Sequence, residues 1–397
     1  MNLRVTFKNL IILFGLFILG SCVSSIQQNN SLTIATSSGI AQGSLKQDVI
    51  SWEDIPYAIP PEGDLRWKAP RSLIAPELVI QRQEGNGCLQ EASIYAGIQG
   101  EGIVGQEDCL YLDIRAPVKN LNRRLPVMFW IHGGGNTSGI KDYYDFSELI
   151  RRHQVLVVTI NYRLGPMGWF THPAIQGLQN GLDKTSNFGT LDIIAALDWV
   201  QKNISLFGGD KDNVTIFGES AGGHNVYSLI ASKKAKGLFH KAIAMSGYTT
   251  SISQKDAYKQ NKKSSTSDYS SWEVVNNITN GNQADMSKEE IRKTLLSLSG
   301  KEFFEIYANR ESYQELPLLT RDDIVIPAIG LREALSKNEL INNVPLIAGS
   351  NADEVKLWLA TAEYFVDLEY SFIGSILNIK KVKLNNEDAF EAFNYYR

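Results

Sequence analysis

Between Val214 and Gly222 the chain reads Val-Thr-Ile-Phe-Gly-Glu-Ser-Ala-Gly, a β-branched apolar strand running into a small-residue turn centred on Ser220. An apolar helical run, Ala221 to about Ser232, follows at once. So tight a strand-to-helix turn tolerates almost no side chain two residues before and two residues after its apex, and Gly218 and Gly222 stand at those positions. The unit pushes the Ser220 hydroxyl out at the N-terminus of the helix, where the N–H of Ala221 can face a developing negative charge. G-x-S-x-G occurs often by chance. The strand before it and the helix behind it give it weight here.

Upstream, Leu125-Pro126-Val127-Met128-Phe129-Trp130-Ile131 reads as a buried strand and leads into His132-Gly133-Gly134-Gly135. Three glycines can simply make a flexible loop. Placed after a core strand and ahead of the serine turn, however, the loop resembles the one that supplies further oxyanion donors in α/β-hydrolases, and that resemblance implies an oxyanion hole of Gly134, Gly135 and Ala221. His132, fixed by the strand end, is expected to orient the loop rather than to carry a proton.

Other blocks follow in order: Ile55-Pro56-Tyr57-Ala58, Pro60-Pro61, Leu65-Arg66-Trp67, Glu107-Asp108-Cys109-Leu110-Tyr111-Leu112, Asn161-Tyr162-Arg163-Leu164-Gly165-Pro166-Met167-Gly168, Asn187-Phe188-Gly189 and Phe207-Gly208-Gly209-Asp210. With these the chain resembles the type-B carboxylesterase and cholinesterase family, a branch of the α/β-hydrolases, over about residues 50 to 355. The resemblance implies an α/β fold: a central, mostly parallel sheet flanked by helices, an N-terminal β-hairpin region and a cap subdomain. It implies serine-dependent hydrolysis of a small-molecule carboxylic ester without a cofactor. Ser220 aligns with the nucleophile, Glu219 with its supporting neighbour, and Glu354, after the strand Val344–Gly349, with the catalytic acid. Val355 replaces the glycine that usually follows that acid. Ser246 aligns with the serine that hydrogen-bonds the acid, although an ordinary strand-end turn explains it as well. Cys88 and Cys109 match the family's first disulfide; two buried thiols are the alternative in a reducing compartment.

A serine hydroxyl is a poor nucleophile until a positioned base takes its proton, and the family carries that histidine well beyond the acid. The five histidines here are His132, His153, His172, His224 and His240, none after Glu354. His224 lies one helical turn beyond Ser220 and is expected to point away from the hydroxyl; His153 falls at a polar helix end, His172 in a Thr-His-Pro loop and His240 at a strand entry. The expectation is therefore a C-terminally truncated family member, lacking the last strands and helices of the fold and nearly inert alone. A binding or adhesion module without turnover, like the neuroligin-like relatives, is the competing class.

The 397 residues, 43% of them hydrophobic, suffice for one large domain over residues 35–397. A net charge of −4 with no basic stripe argues against nucleic acid, and no phosphate loop or metal-ligand cluster is evident. Arg4 and Lys8 precede the apolar run Leu10–Leu19, and Leu19-Gly20-Ser21-Cys22 resembles a bacterial lipoprotein box. The reading is a signal peptide at 1–21, lipidation of Cys22, a flexible tether at 22–34, and export to a bacterial cell envelope, with a plain signal peptide as the alternative. Ile193, Leu197, Val200 and Ile204 predict a helix with one apolar face, ended by Gly208-Gly209. The polar stretch at about 249–315 predicts a cap.

Overall fold

The computed structural model describes residues 32–82, 86–93, 96–119, 123–258, 271–308 and 319–354, and the backbone of two short strands at 366–369 and 381–384. The expected signal peptide, most of the tether and Cys22 lie outside the described residues. In chain order the strands are β1 (Thr33–Thr36), β2 (Gly39–Lys46), β3 (Val49–Pro56), β4 (Gln90–Ser93), β5 (Ile98–Val104), β6 (Tyr111–Pro117), β7 (Leu125–Ile131), β8 (Leu156–Ile160), β9 (Gly209–Glu219), β10 (Lys241–Met245), β11 (Ile252–Ser253), β12 (Thr320–Arg321) and β13 (Leu346–Gly349). The helices are α1 (Ser147–His153), α2 (Gly165–Gly168), α3 (Pro173–Gln176), α4 (Phe188–Asn203), α5 (Ala221–Ala231), α6 (Gln254–Tyr258), α7 (Ser271–Ile278), α8 (Lys288–Ser297), α9 (Gly300–Ala308) and α10 (Leu331–Leu335).

One nine-stranded sheet, in the order β1-β2-β3-β6-β8-β7-β9-β10-β13, organises the molecule. Its N-terminal side is antiparallel, from hairpins β1-β2 and β2-β3 through β6 to β8. From β8 to β13 all neighbours run parallel. The change follows from the connections: short turns join the first strands, whereas helices intervene among the later ones, and a helix crossover returns the chain parallel. This is the expected α/β-hydrolase architecture. β1 begins at Thr33, so the last residues assigned to the tether already belong to the sheet.

Val127, Phe129 and Ile131 alternate along β7 and are wholly buried, as are Val158 and Ile160 of β8 and Val214 and Ile216 of β9. Helix α4 covers this sheet with Ile193, Leu197 and Val200, and its chain continues through Ile204 to Gly208, whose φ of 84° ends it in the left-handed region. The single apolar face expected for α4 is too narrow, because Phe188, Leu191, Ile194 and Trp199 are buried too. The helix is sandwiched rather than laid on the surface. Trp199 Nε1 donates to Ser38 Oγ at 2.9 Å beside the N-terminal hairpin, and Arg163 ion-pairs with Asp192 at 2.7 Å from the other side.

The expected cap is partly described. Helices α7 to α9 have their own apolar cluster, in which Val274, Val275, Leu295, Phe303 and Phe304 pack with Trp67, Phe170 and Phe188 of the main body. Trp67 and Phe303 meet edge to face with centroids 4.9 Å apart. The segment is therefore seated on the domain through an aromatic joint. β13 is exposed along its whole length among the described residues, and Ile347 is 67% exposed. No described helix is long and apolar enough to cross a membrane.

Candidate active site

Parallel strands deliver their loops to one end of the sheet, and β7, β9, β10 and β13 all finish there. Ile131 pairs with Gly218, Glu219 with Met245, and Met245 with Gly349, so the strand ends are level. The glycine loop after β7, the serine turn after β9, Ser246 after β10 and Glu354 after β13 consequently share one rim.

At the serine turn the backbone is forced. Ser220 has φ 55° and ψ −121°, a conformation costly for any residue with a Cβ, and caps α5. Its N–H donates to Met245 O at 2.9 Å, and its O accepts from His224 N at 3.0 Å, so the peptides on both sides of the residue are pinned. The flanking glycines allow the close approach: a Cβ on Gly222 would lie 2.1 Å from Ile131 O, and one on Gly218 would lie 2.5 Å from Gly222 C. These contacts show why the turn demands glycine at both places.

The glycine loop touches the turn directly, since a Cβ on Gly133 would lie 3.2 Å from Ser220 Cβ. Gly134 and Gly135 have φ of 92° and 64°, and Thr137 N and Ser138 N both donate to Gly134 O, closing the loop on itself. Among the described residues the N–H groups of Gly134, Gly135 and Ala221 meet no acceptor, and Gly134 and Gly135 are exposed. The half-buried Ser220 hydroxyl likewise has no partner there. Three unpaired amide donors and one free hydroxyl thus lie on two segments that touch at Gly133 and Ser220.

Glu354 follows β13 on this rim. Its Oε1 accepts from Ser246 Oγ, from Asn351 N at 2.8 Å and from Asn351 Nδ2 at 3.1 Å. The Ser246 hydroxyl and then the Asn351 backbone N–H hold this carboxyl below the ordinary range. Ser246 has φ 51° and donates its own N–H to Gly349 O at 2.7 Å, which ties β10 to β13 beside this carboxyl. Glu219 is pushed the opposite way, upward, first by burial and then by the negative charge of Glu354.

Four of the histidines contact other groups through at least one ring nitrogen. His132 is buried, stacks on Tyr162 with centroids 4.4 Å apart, and contacts Gly133 O through Nδ1 at 2.9 Å. His224 Nε2 faces Thr250 O at 2.9 Å, and its ring lies 4.2 Å from that of Tyr248. Burial lowers both to about 4, so both rings are neutral at physiological pH. His172 is more than a loop residue: it caps α3, accepting from Ala174 N at 3.1 Å, and meets Gln283 Oε1 at 2.9 Å. His240 Nδ1 accepts from Val214 N at 3.1 Å, and His153 is the last residue of α1. Among the described residues no histidine is placed as a base for Ser220.

Several residues that shape the site carried no role in the sequence reading. Asn225 Nδ2 donates to Asn136 Oδ1 at 2.8 Å, joining α5 to the glycine loop inside the protein. Tyr162 OH donates to His132 O at 2.7 Å, and Gly165 N to Asn136 O at 2.8 Å. Gln90 grips Gly139 from the far side. Asn136 could have been noticed as an asparagine following a glycine run, where left-handed φ is common; its φ is 60°. Cys88 and Cys109 form the expected disulfide, with Cα atoms 4.9 Å apart. No described cluster of His, Cys, Asp and Glu is arranged to hold a metal ion.

Known proteins resemble this chain in sequence and in fold. The model of the Carboxylesterase family matches residues 30–393. Para-nitrobenzyl esterase of Bacillus subtilis is 41% identical over 227 residues, covering 56% of this chain and 45% of its own. Carboxylesterase 1E of Rattus norvegicus is 34% identical over 329 residues, covering 78% and 55%. Among solved structures, a thermophilic pNB esterase superposes with a TM-score of 0.70 at 29% identity, over 87% of this chain and 67% of that one. The Geobacillus stearothermophilus carboxylesterase EST55 gives 0.68 at 28% identity, over 83% and 65%. The chain spans about half the length of the curated relatives it matches.

Proposed function

The chain belongs to the carboxylesterase family, and from that premise we propose that its site is built for serine-dependent hydrolysis of carboxylic esters through an acyl-enzyme. The observation that carries the reading is the Ser220 hydroxyl on a strained turn beside the unpaired amides of Gly134, Gly135 and Ala221. Ser220 Oγ attacks the ester carbonyl carbon, and its proton passes to a base. The carbonyl oxygen takes up the charge and is held by the three N–H groups, which already stand without acceptors and need no reorganisation. Collapse expels the alcohol, and water then attacks the acyl carbon to release the acid and restore the serine.

Glu354 serves as the acid that orients and charges the base, with Ser246 and Asn351 keeping it ionised. Glu219 supports the turn. Ser220, Glu354 and the three amides are the candidates for nucleophile, acid and donors, whereas no hydrogen bond joins a described histidine ring to the Ser220 hydroxyl: His132 meets Gly133 O and His224 meets Thr250 O. Loss of the base from such a triad lowers turnover by about a million-fold, leaving about a thousand-fold over water from the oxyanion hole and binding. The expected result is that residues 22–397, purified, hydrolyse p-nitrophenyl acetate no faster than their Ser220→Ala variant. A large Ser220-dependent rate would defeat the assignment of these histidines and require an unconventional base. For location, the reading is a mature protein anchored at a lipidated Cys22 in a bacterial cell envelope, supported by the run Leu10–Leu19 and the Leu19–Cys22 box; growth with labelled palmitate, with and without Cys22→Ser, tests it.

A further inference from the structure

The amides of Gly134 and Gly135 are useful only if the loop that carries them keeps its shape, and three glycines in a row give it little stiffness of its own. The near end of the loop is fixed by β7. Its far end is Gly139, with φ 129°, and there a side chain from a distant part of the chain intervenes. Gln90, in β4 and 1% exposed, accepts from Gly139 N through Oε1 at 2.7 Å and donates from Nε2 to Gly139 O at 3.0 Å. Nε2 also donates to Cys88 O at 3.0 Å. One amide side chain thus satisfies both polar groups of a glycine peptide and ties it to the backbone of a disulfide cysteine.

On its other side Gly139 abuts the His132 ring, for a Cβ there would lie 2.2 Å from Nδ1. That ring stacks on Tyr162, and Nδ1 touches Gly133 O. Tyr162, His132, Gly139 and Gln90 therefore form a packed stack behind the glycine loop, closed at one end by the Cys88–Cys109 bond. We propose that Gln90 is a positioning residue that sets the shape of the glycine loop and links the disulfide to the oxyanion donors. Its action on the donors rests on the hydrolase reading given above; its grip on the loop does not.

The test uses Gln90→Met, which keeps the side-chain length while removing the donor and acceptor, and Gln90→Glu, which keeps the acceptor for Gly139 N–H. Amide hydrogen exchange, read by mass spectrometry on peptides covering 132–140, reports the grip. Affinity for an alkylboronic acid, which forms a tetrahedral adduct on a serine oxygen, reports the donors and is referred to Ser220→Ala as the blank. Expected are exchange about tenfold faster in 132–140 with α5 unchanged, boronate binding about tenfold weaker in Gln90→Met, and intermediate values in Gln90→Glu. Unchanged exchange in 132–140 overturns the proposal, as does exchange raised equally across the whole chain. Faster local exchange with unaltered boronate affinity overturns the link to the donors. If the wild-type chain binds no boronate through Ser220, the hydrolase reading fails, and the exchange result alone decides whether Gln90 holds the loop.

Discussion

Replacing Ser220 by glycine should make the protein more stable, while replacing it by alanine should not. Ser220 sits at φ 55° and ψ −121°, the mirror of an ordinary extended conformation, which glycine adopts freely and any residue with a Cβ does not. Strain of this kind costs about 1–3 kcal/mol. The Ser220 hydroxyl has no hydrogen-bond partner among the described residues, so removing it forfeits no bond. Against the gain stands the extra freedom of glycine in the unfolded chain, worth about 0.4–1 kcal/mol. The net expectation is that Ser220→Gly exceeds both wild type and Ser220→Ala by about 1 kcal/mol, read from equilibrium urea titrations. Alanine retains the Cβ and hence the strain, so it isolates the backbone term from loss of the hydroxyl. Equal stability of the two variants, or a less stable glycine variant, would refute the claim that the turn is held against its own preference by the pinned N–H of Ser220 and the packing of Gly218 and Gly222.

Other expectations follow from the same geometry. Gly222→Ala places a methyl 2.1 Å from Ile131 O and should prevent soluble expression or cost about 3 kcal/mol or more, measured by urea titration. Opening the Cys88–Cys109 bond with Cys88→Ser/Cys109→Ser should lower stability by about 3 kcal/mol through the freed unfolded chain, checked by denaturation under oxidising conditions. Arg163→Met, which strands the buried Asp192 carboxylate, should cost about 3–5 kcal/mol, and the double variant with Asp192→Leu should recover part of it. The buried histidines should pull stability down as pH drops from about 6.5 toward 4, against the opposite pull of Asp113, whose carboxyl burial raises to about 7. His132, His172 and His224 are each lowered to about 4 by burial, whereas their unfolded counterparts take a proton from about 6.5 downward, which favours unfolding across that window. Replacing His172 by Gln should flatten the pH dependence in urea titrations, and an unchanged slope would show that this ring is not protonated on unfolding.

Much of the site was legible from residue order because its parts are local. The strand–turn–helix around Ser220, the glycine run after β7 and the Glu354 carboxyl after β13 are each written within a few residues, and backbone sterics alone make glycine obligatory at 218 and 222. Parallel strands then bring such segments to one rim whatever their spacing. Tertiary structure alone decided what holds them there. Gln90 reaches Gly139 across 49 residues, and Asn225 reaches Asn136 across 89. No periodicity or turn signal encodes a side-chain contact with a partner so far away in the chain. The same holds for the histidines: their positions were plain in the sequence, but their neutrality and their engagement with Gly133, Thr250 and Gln283 follow from burial, which only the packed fold defines.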